Sequence, residues 1–415
     1  MGAGIVVIGG GQAASQLAAS LREQGFAEAI SIVSAENALP YQRPPLSKAY
    51  LKGSIGKEGL LLRAEAFYAR NSINLLLGET AARVGRHEQK VYLASGSSVA
   101  YDRLVFATGS RNRKLAAPGS DLDGIFYLRS ITDAEAIKAR LDRSTRVAVI
   151  GAGFVGLELA CVMRDLGASV VVVEAARRPM GRAVSAAMSQ HLTDGHASSG
   201  LRMLLGASVS GFRGLNGKVV GVDIPGEPAI EADIVLVGIG ALPEMELARD
   251  CGLATSNGIE VDELLATSDP RISAIGDCAF FASPATGRRL RLEAVQNAVD
   301  HARMLGATLA GKPKAFGSVP WFWSDQGGHR LQIAGLTEGH DSVVLRGDRA
   351  SGKFSLFCYA GDTLLGVESI NQASDHMISR RLLASSVTLT PEQAVDLSFD
   401  LKSHVLAAER MRVDG

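Results

Sequence analysis

The chain has 415 residues, and its 43 Lys+Arg are matched by 43 Asp+Glu, so the formal charge is zero and no global positive field favours nucleic acid or an anionic membrane. Hydrophobic residues make up 47%, charged residues 21% and aromatics 5%, with 46 glycines, which excludes a disordered or fibrous chain and fits a soluble α/β protein of two to four domains. Four cysteines, with no C-x-x-C pair among them, exclude a disulfide framework and point to a reduced, cytoplasmic setting.

The β-branched run Ile5-Val6-Val7-Ile8 starts almost at once, without a basic leader, so export is not expected. It meets Gly9-Gly10-Gly11-Gln12-Ala13-Ala14, a G-x-G-x-x-A pattern, and then the helical spacing of Leu17 and Leu21. Gly9 permits the tight turn and Gly11 lets backbone approach a pyrophosphate. Ala14 lets the helix pack close to the strand with its N-terminus toward the anion. A second strand over 30–33 precedes Glu36, about where a carboxylate accepts from ribose hydroxyls. After the segment Arg43-Pro44-Pro45-Leu46-Ser47-Lys48-Ala49-Tyr50-Leu51, an apolar strand ends at Thr108-Gly109.

The device then repeats. Val147-Ala148-Val149-Ile150 leads into Gly151-Ala152-Gly153-Phe154-Val155-Gly156 and a helix carrying Glu158. A strand over 170–173 ends at Glu174, and another ends at Gly238-Ile239-Gly240. This stretch is the longest apolar one, but its glycines and Glu158 exclude a membrane span. An apolar strand over 272–275 ends in Gly276-Asp277. Beyond Pro320-Trp321-Phe322-Trp323-Ser324-Asp325-Gln326, strand-like runs over 331–336, 342–345, 354–359 and 364–370 alternate with turns at 346–348 and 360–362. Two nucleotide-binding units and a C-terminal α+β domain are therefore expected.

The Gly-Asp strand resembles the second flavin motif of flavoproteins with two dinucleotide-binding domains. Together with R-P-P-L-S-K-x-Y-L, Tyr127-Leu128-Arg129 and P-W-F-W-S-D-Q, it makes the chain similar to the NADH-dependent ferredoxin reductases, almost from end to end. The resemblance implies an FAD domain over 1–112 and 246–320, an NAD domain over 113–245 and a C-terminal domain over 321–415, in a monomer. It assigns FAD to Gly9, Gly11, Ala13, Ala14, Glu36, Arg43, Lys48, Ala81, Thr108, Gly109, Arg129, Gly276, Asp277, Val295 and Trp323. It assigns NAD to Gly151, Gly153, Phe154, Val155, Gly156, Glu158, Glu174, Gly238, Ile239 and Gly240.

The implied reaction moves electrons from NADH through FAD to an acidic 2Fe-2S ferredoxin that supplies a haem-thiolate monooxygenase or a ring-hydroxylating dioxygenase. Lys48 would favour the reduced flavin, with Glu158 as its counter-charge and Trp323 near the ring. Cys161 is the first cysteine, so the thiol relay of the disulfide reductases is missing. Glu174 favours NADH over NADPH, although Arg177 and Arg178 follow it. Arg63 and Arg303 are candidates for ferredoxin docking. No metal site, nucleic-acid partner or membrane partner is expected. An NADH oxidase or peroxidase and a redox-signalling flavoprotein like apoptosis-inducing factor stand as alternatives.

Overall fold

The computed structural model describes residues 2–283, 287–385 and 387–413. They form two compact units, one of residues 1–43, 55–111 and 241–318, the other of 44–54, 112–240 and 319–415. The Arg-Pro-Pro segment from Pro44 to Ser54 thus groups with the second unit.

The first unit is built on a five-stranded parallel sheet in the order Ile272–Ala274, Arg103–Phe106, Ile5–Ile8, Ile30–Ser34, Ile73–Leu77. All four residues of Ile5–Ile8 are buried, as expected for a central strand covered on both faces. Helix Gln12–Glu23 presses Leu17 and Leu21 into the core. Helix Val295–Leu309 packs beside it at Gly306, where a Cβ would come 2.8 Å from that of Ser20. Ala81 opens the edge strand Ala81–Gly85 of a small antiparallel sheet.

The second unit repeats this plan with the parallel order Arg202–Leu205, Ser169–Glu174, Arg146–Ile150, Ile234–Val237, Ile125–Phe126. It also contains a five-stranded antiparallel sheet in the order Trp321–Gln326, His329–Gly335, Thr363–Ile370, Lys353–Ala360, Ser342–Asp348. Helix Ala373–Ala384 packs on that sheet. The fold is thus α/β, with two Rossmann-like parallel sheets and a C-terminal α+β part. One expected turn moves: residues 346–348 finish a strand, kinked at Gly347 (φ 96°), and the chain reverses over 349–352. No helix among the described residues is long and apolar enough to cross a membrane.

Candidate functional site

In both units the fingerprint strand lies at the centre of its sheet, with neighbours on either side that leave in different directions along the chain, so a crevice opens beyond its carboxyl end. In the first unit, Gly9 has φ 114° and a Cβ there would fall 2.2 Å from the carbonyl oxygen of Ala107, so only glycine fits. Gly11 precedes the helix, and a Cβ on it would meet nothing within 4 Å. That helix has no side-chain cap, so its first N–H groups face an open cradle. Gly276 (φ 74°) comes so close that an added Cβ would lie 3.3 Å from that of Ala13, which brings Asp277 to the same helix start. Ser110 Oγ donates to Asp277 at 3.1 Å. Helix Val295–Leu309, also without a side-chain cap, begins beside this strand end. Thr108 Oγ1 donates to the carbonyl of Glu244 at 2.6 Å, and Glu244 N donates to Gly109 O at 2.9 Å, pinning that loop.

The two uncapped helix starts and the open face at Gly11 fit a diphosphate-bearing cofactor. Glu36 stands two residues beyond its strand, where its carboxylate accepts from Tyr41 Oη and Arg43 Nη2, both at 2.5 Å. Burial opposes the Arg43 charge, but Tyr41 and Glu36 outweigh it and hold the guanidinium above its ordinary pKa. Arg63 is not a free surface charge: it donates to Ser15 and Gln16 on the fingerprint helix. Arg303 is exposed.

The second cradle has the same geometry. Gly151 has φ 101°, and a Cβ there would lie 2.5 Å from Gly238 O, while Gly153 is open. A Cβ on Gly156 would fall 2.0 Å from Gly151 O, so helix Phe154–Asp165 sits directly on the loop. Glu174 folds back over that loop, accepting from the backbone N–H of Ala152 at 2.6 Å and of Ala176 at 2.7 Å. Val155 is exposed at the helix start. Gly238 N donates to Ile150 O, Ile239 packs against the unit's core, and Gly240 has φ 104°. Arg178 is committed to the carbonyls of Gly181 and Val184, and Arg177 is exposed.

The second unit also assembles a third group. Lys48 Nζ lies 3.0 Å from Glu158, 3.5 Å from Asp325 and 5.9 Å from the centre of the Trp323 ring. Ser47 and Ser324 each donate to Glu158 at 2.7 Å. Glu158 is 5% exposed, so its counter-charge and these hydroxyls satisfy a group that would otherwise be costly to bury. Phe154 packs against Phe322 with tilted rings 4.3 Å apart, and Trp321 and Trp323 lie 5.6 Å apart. Arg129, expected at the flavin, lies in this unit, where its N–H donates to Asp133 at the start of helix Ile131–Lys138. Sequence reading missed Ser47, Ser324, Asp325 and Gln326. The signal was present in the period-2 alternation of strand Trp321–Gln326, which puts Phe322, Ser324 and Gln326 on one face.

The four cysteines are free thiols. Burial pushes Cys161 up to about 11 and raises Cys278, Cys358 and Cys251. None is suited to nucleophilic relay chemistry.

Two glycine-rich cradles on parallel sheets, together with a lysine balanced by a buried carboxylate in the second unit, define an oxidoreductase that works on two dinucleotides. The chain belongs to the pyridine nucleotide-disulphide oxidoreductase family, whose model matches residues 3–302, and a reductase C-terminal domain matches residues 321–405. It is 48% identical to rhodocoxin reductase of Rhodococcus erythropolis over 398 residues, covering 96% of this chain and 93% of that one. The crystal structure of the ferredoxin reductase for the CYP199A2 system from Rhodopseudomonas palustris superposes with TM-score 0.94 at 45% identity, covering 97% and 99% of the two chains. That of the covalent putidaredoxin reductase–putidaredoxin complex gives 0.95 at 36% identity, covering 98% and 99%. The protein is an NAD(P)H-dependent oxidoreductase with FAD as its second cofactor.

Proposed function

We propose that the chain is a ferredoxin reductase that passes electrons from NADH through FAD to a 2Fe-2S ferredoxin serving a haem-thiolate monooxygenase or a ring-hydroxylating dioxygenase. The observation that carries this reading is the Lys48–Glu158–Trp323 group, a charge-balanced lysine and an aromatic platform in a chain whose thiols are all protonated by burial or held well above neutrality. Relatives named as rhodocoxin and ferredoxin reductases over nearly their whole length support it.

Bound FAD supplies the chemistry, accepting a hydride from NADH and releasing electrons one at a time. The residues do the rest. Gly11 and the start of helix Gln12–Glu23 hold its pyrophosphate, Asp277 accepts from a ribityl hydroxyl, and Lys48 places an ammonium where reduction adds negative charge. Gly153 and the start of helix Phe154–Asp165 hold the NADH pyrophosphate. Glu174 accepts from its ribose and repels a 2′-phosphate. With Arg178 committed to backbone carbonyls, only Arg177 is left to favour that phosphate, which supports NADH over NADPH. Glu36, engaged by Tyr41 and Arg43, is proposed to present a carboxylate already fixed in place to the FAD ribose.

The test is NADH consumption by the purified flavoprotein with an acidic 2Fe-2S ferredoxin, with a rubredoxin, and with oxygen alone. Fast turnover only with the ferredoxin supports the reading. Equal turnover with oxygen alone establishes the oxidase instead. Lys48→Ala is expected to slow flavin reduction by NADH about tenfold or more, by removing a charge-assisted contact, and unchanged stopped-flow rates would remove its role. Rising salt should weaken ferredoxin turnover, as should Arg303→Glu, since Arg303 is the exposed member of the candidate pair.

A further inference from the structure

Glu158 receives more donors than its pairing with Lys48 requires. Oε1 accepts from Lys48 Nζ and Ser324 Oγ, and Oε2 accepts from Ser47 Oγ. A hydroxyl can donate or accept, so its other neighbour decides which it does. Behind Ser324 stands Gln326, fully buried, whose Nε2 donates to Ser324 Oγ at 3.1 Å and lies 3.4 Å from Met180 Sδ. Ser324, receiving that N–H, is left to donate to Glu158. The Oε1 of Gln326 lies 3.0 Å from His196 Nε2. A carbonyl oxygen only accepts, so the His196 proton sits on Nε2 and its Nδ1 is bare toward Cys161 Sγ, 3.8 Å away. Burial holds the His196 imidazole below its ordinary pKa, which keeps it neutral.

Every donor in this series therefore points the same way: Cys161 to His196, His196 to Gln326, Gln326 to Ser324, Ser324 to Glu158. The series links helix Phe154–Asp165, helix Ala186–Ser198 and strand Trp321–Gln326 within one compact unit. Aligned hydrogen bonds polarise one another, and more strongly in a dry interior than in water.

We propose that His196, Gln326 and Ser324 are positioning residues forming a one-way hydrogen-bond relay, fed weakly by Cys161 and ending on Glu158, that sets how much of the Lys48 charge is left to act on the flavin. The inference rests on the placement of Lys48 and Glu158 beside the flavin argued above. The relay sets a second donor, the Ser324 hydroxyl, on Oε1, the oxygen that also faces Lys48, so part of that oxygen's charge is taken up by Ser324 and the carboxylate cancels less of the ammonium. Without the relay, Oε1 turns its undivided charge on Lys48, and reduction of the flavin becomes less favourable. Asp325 also neighbours Lys48, but its carboxylate is 45% exposed and water screens it.

Two measurements on the holoprotein test this. Nitrogen-15 NMR of the histidine rings should show His196 as the neutral Nε2–H tautomer; the Nδ1–H tautomer or an imidazolium would overturn the stated direction. Redox titration of the bound flavin should then separate the variants. Ser324→Ala removes the last donor. Gln326→Glu offers Ser324 only acceptors and turns its hydroxyl away from Glu158. Each is expected to shift the flavin reduction equilibrium against reduction by roughly three- to tenfold, the worth of one hydrogen bond to a charged group partly transmitted, and Ser324→Thr should restore the wild-type value. A shift in Lys48→Ala, with none in Ser324→Ala or Gln326→Glu, overturns the relay alone. No shift in any of the three overturns the Lys48 reading and the relay with it. If Ser324→Ala does not retain flavin, the tautomer of the wild-type protein still decides the direction.

Discussion

The two cradles share a strand, a turn and a helix, yet they differ in what sits at the third small residue and at the ribose acid. Gly9 and Gly151 both have φ above 100°, and each faces a carbonyl oxygen of the neighbouring strand end that would collide with a Cβ. Gly11 and Gly153 are both open. At the third position, however, the first cradle buries Ala14 without conflict, whereas the second leaves no room beyond the Cα of Gly156. The first two glycines are thus fixed by backbone conformation and ligand approach, and the third by how closely the helix rides on its loop. A motif written as G-x-G-x-x-[GA] merges two different physical constraints.

Substitution at the glycines gives the largest effects. Gly9→Ala is strained by its φ and by the contact with Ala107 O, so the protein should purify without flavin, read from its visible absorbance. Gly156→Ala must lift the helix from Gly151 O, at a cost of about 1–3 kcal/mol of overpacking, and should raise KM for NADH at least tenfold while flavin stays bound. Ala14→Gly, the reverse exchange in the first cradle, should cost only about 1 kcal/mol of helix stability and keep the flavin. Normal NADH binding by Gly156→Ala would erase the distinction between the cradles.

The second difference concerns acid. In the first cradle the Gly276 N–H donates to Nδ1 of His301, a fully buried imidazole that burial lowers to about 3. In the second, Gly238 N–H donates to the carbonyl of Ile150, which does not titrate. An unfolded histidine binds a proton near 6.5 and the folded one only near 3. The stability tied to His301 is therefore complete above about pH 6.5 and is lost as pH falls toward 3, by about 2 kcal/mol near pH 5. Other buried histidines, among them His196 and His376, act with the same sign, so the wild-type curve alone does not isolate it. Comparing urea unfolding of wild type and His301→Gln does: the variant should be less stable at pH 7, and the gap should narrow as pH falls to 5. A constant gap would mean that His301 is not held neutral.

What the sequence disclosed follows from the range over which each feature is encoded. The parallel strands were legible because strands buried on both faces demand continuous β-branched runs, as in the fully buried Ile5–Ile8 and the largely buried run 170–173. Lys48, Glu158 and Trp323 were reachable through the family resemblance, and the fold brings them together. The hydroxyls on Glu158 were not legible, because Ser47 and Ser324 lie 111 and 166 positions from it and serine is unremarkable at either place until the strand and the Arg-Pro-Pro segment meet the helix. The anchoring of Arg63 was hidden for a similar reason: an arginine in a loop reads as surface charge until its partners on the fingerprint helix are seen. Residues 346–348 read as a turn from composition, whereas pairing with Lys353–Ala360 extends the strand through them.

The ribose acids give the smallest expected effects and the finest test of the comparison. Glu174 is oriented by two main-chain N–H groups, both of which need an acceptor. Glu174→Gln presents an amide donor to one of them, so the loop should shift, KM for NADH should rise about tenfold, and discrimination against NADPH should fall. Glu36 is oriented by side chains, and its ion pair with Arg43 is about one-third exposed at each end. In Glu36→Gln the amide oxygen still accepts from Tyr41, and the exposed ion pair contributes about 1 kcal/mol or less. Flavin affinity should therefore weaken by no more than about fivefold, measured by fluorescence on reconstitution of the apoprotein. A larger loss at Glu36 than at Glu174, each measured for its own nucleotide, would show that the first cradle depends on a carboxylate held by side chains more than the second depends on one held by backbone.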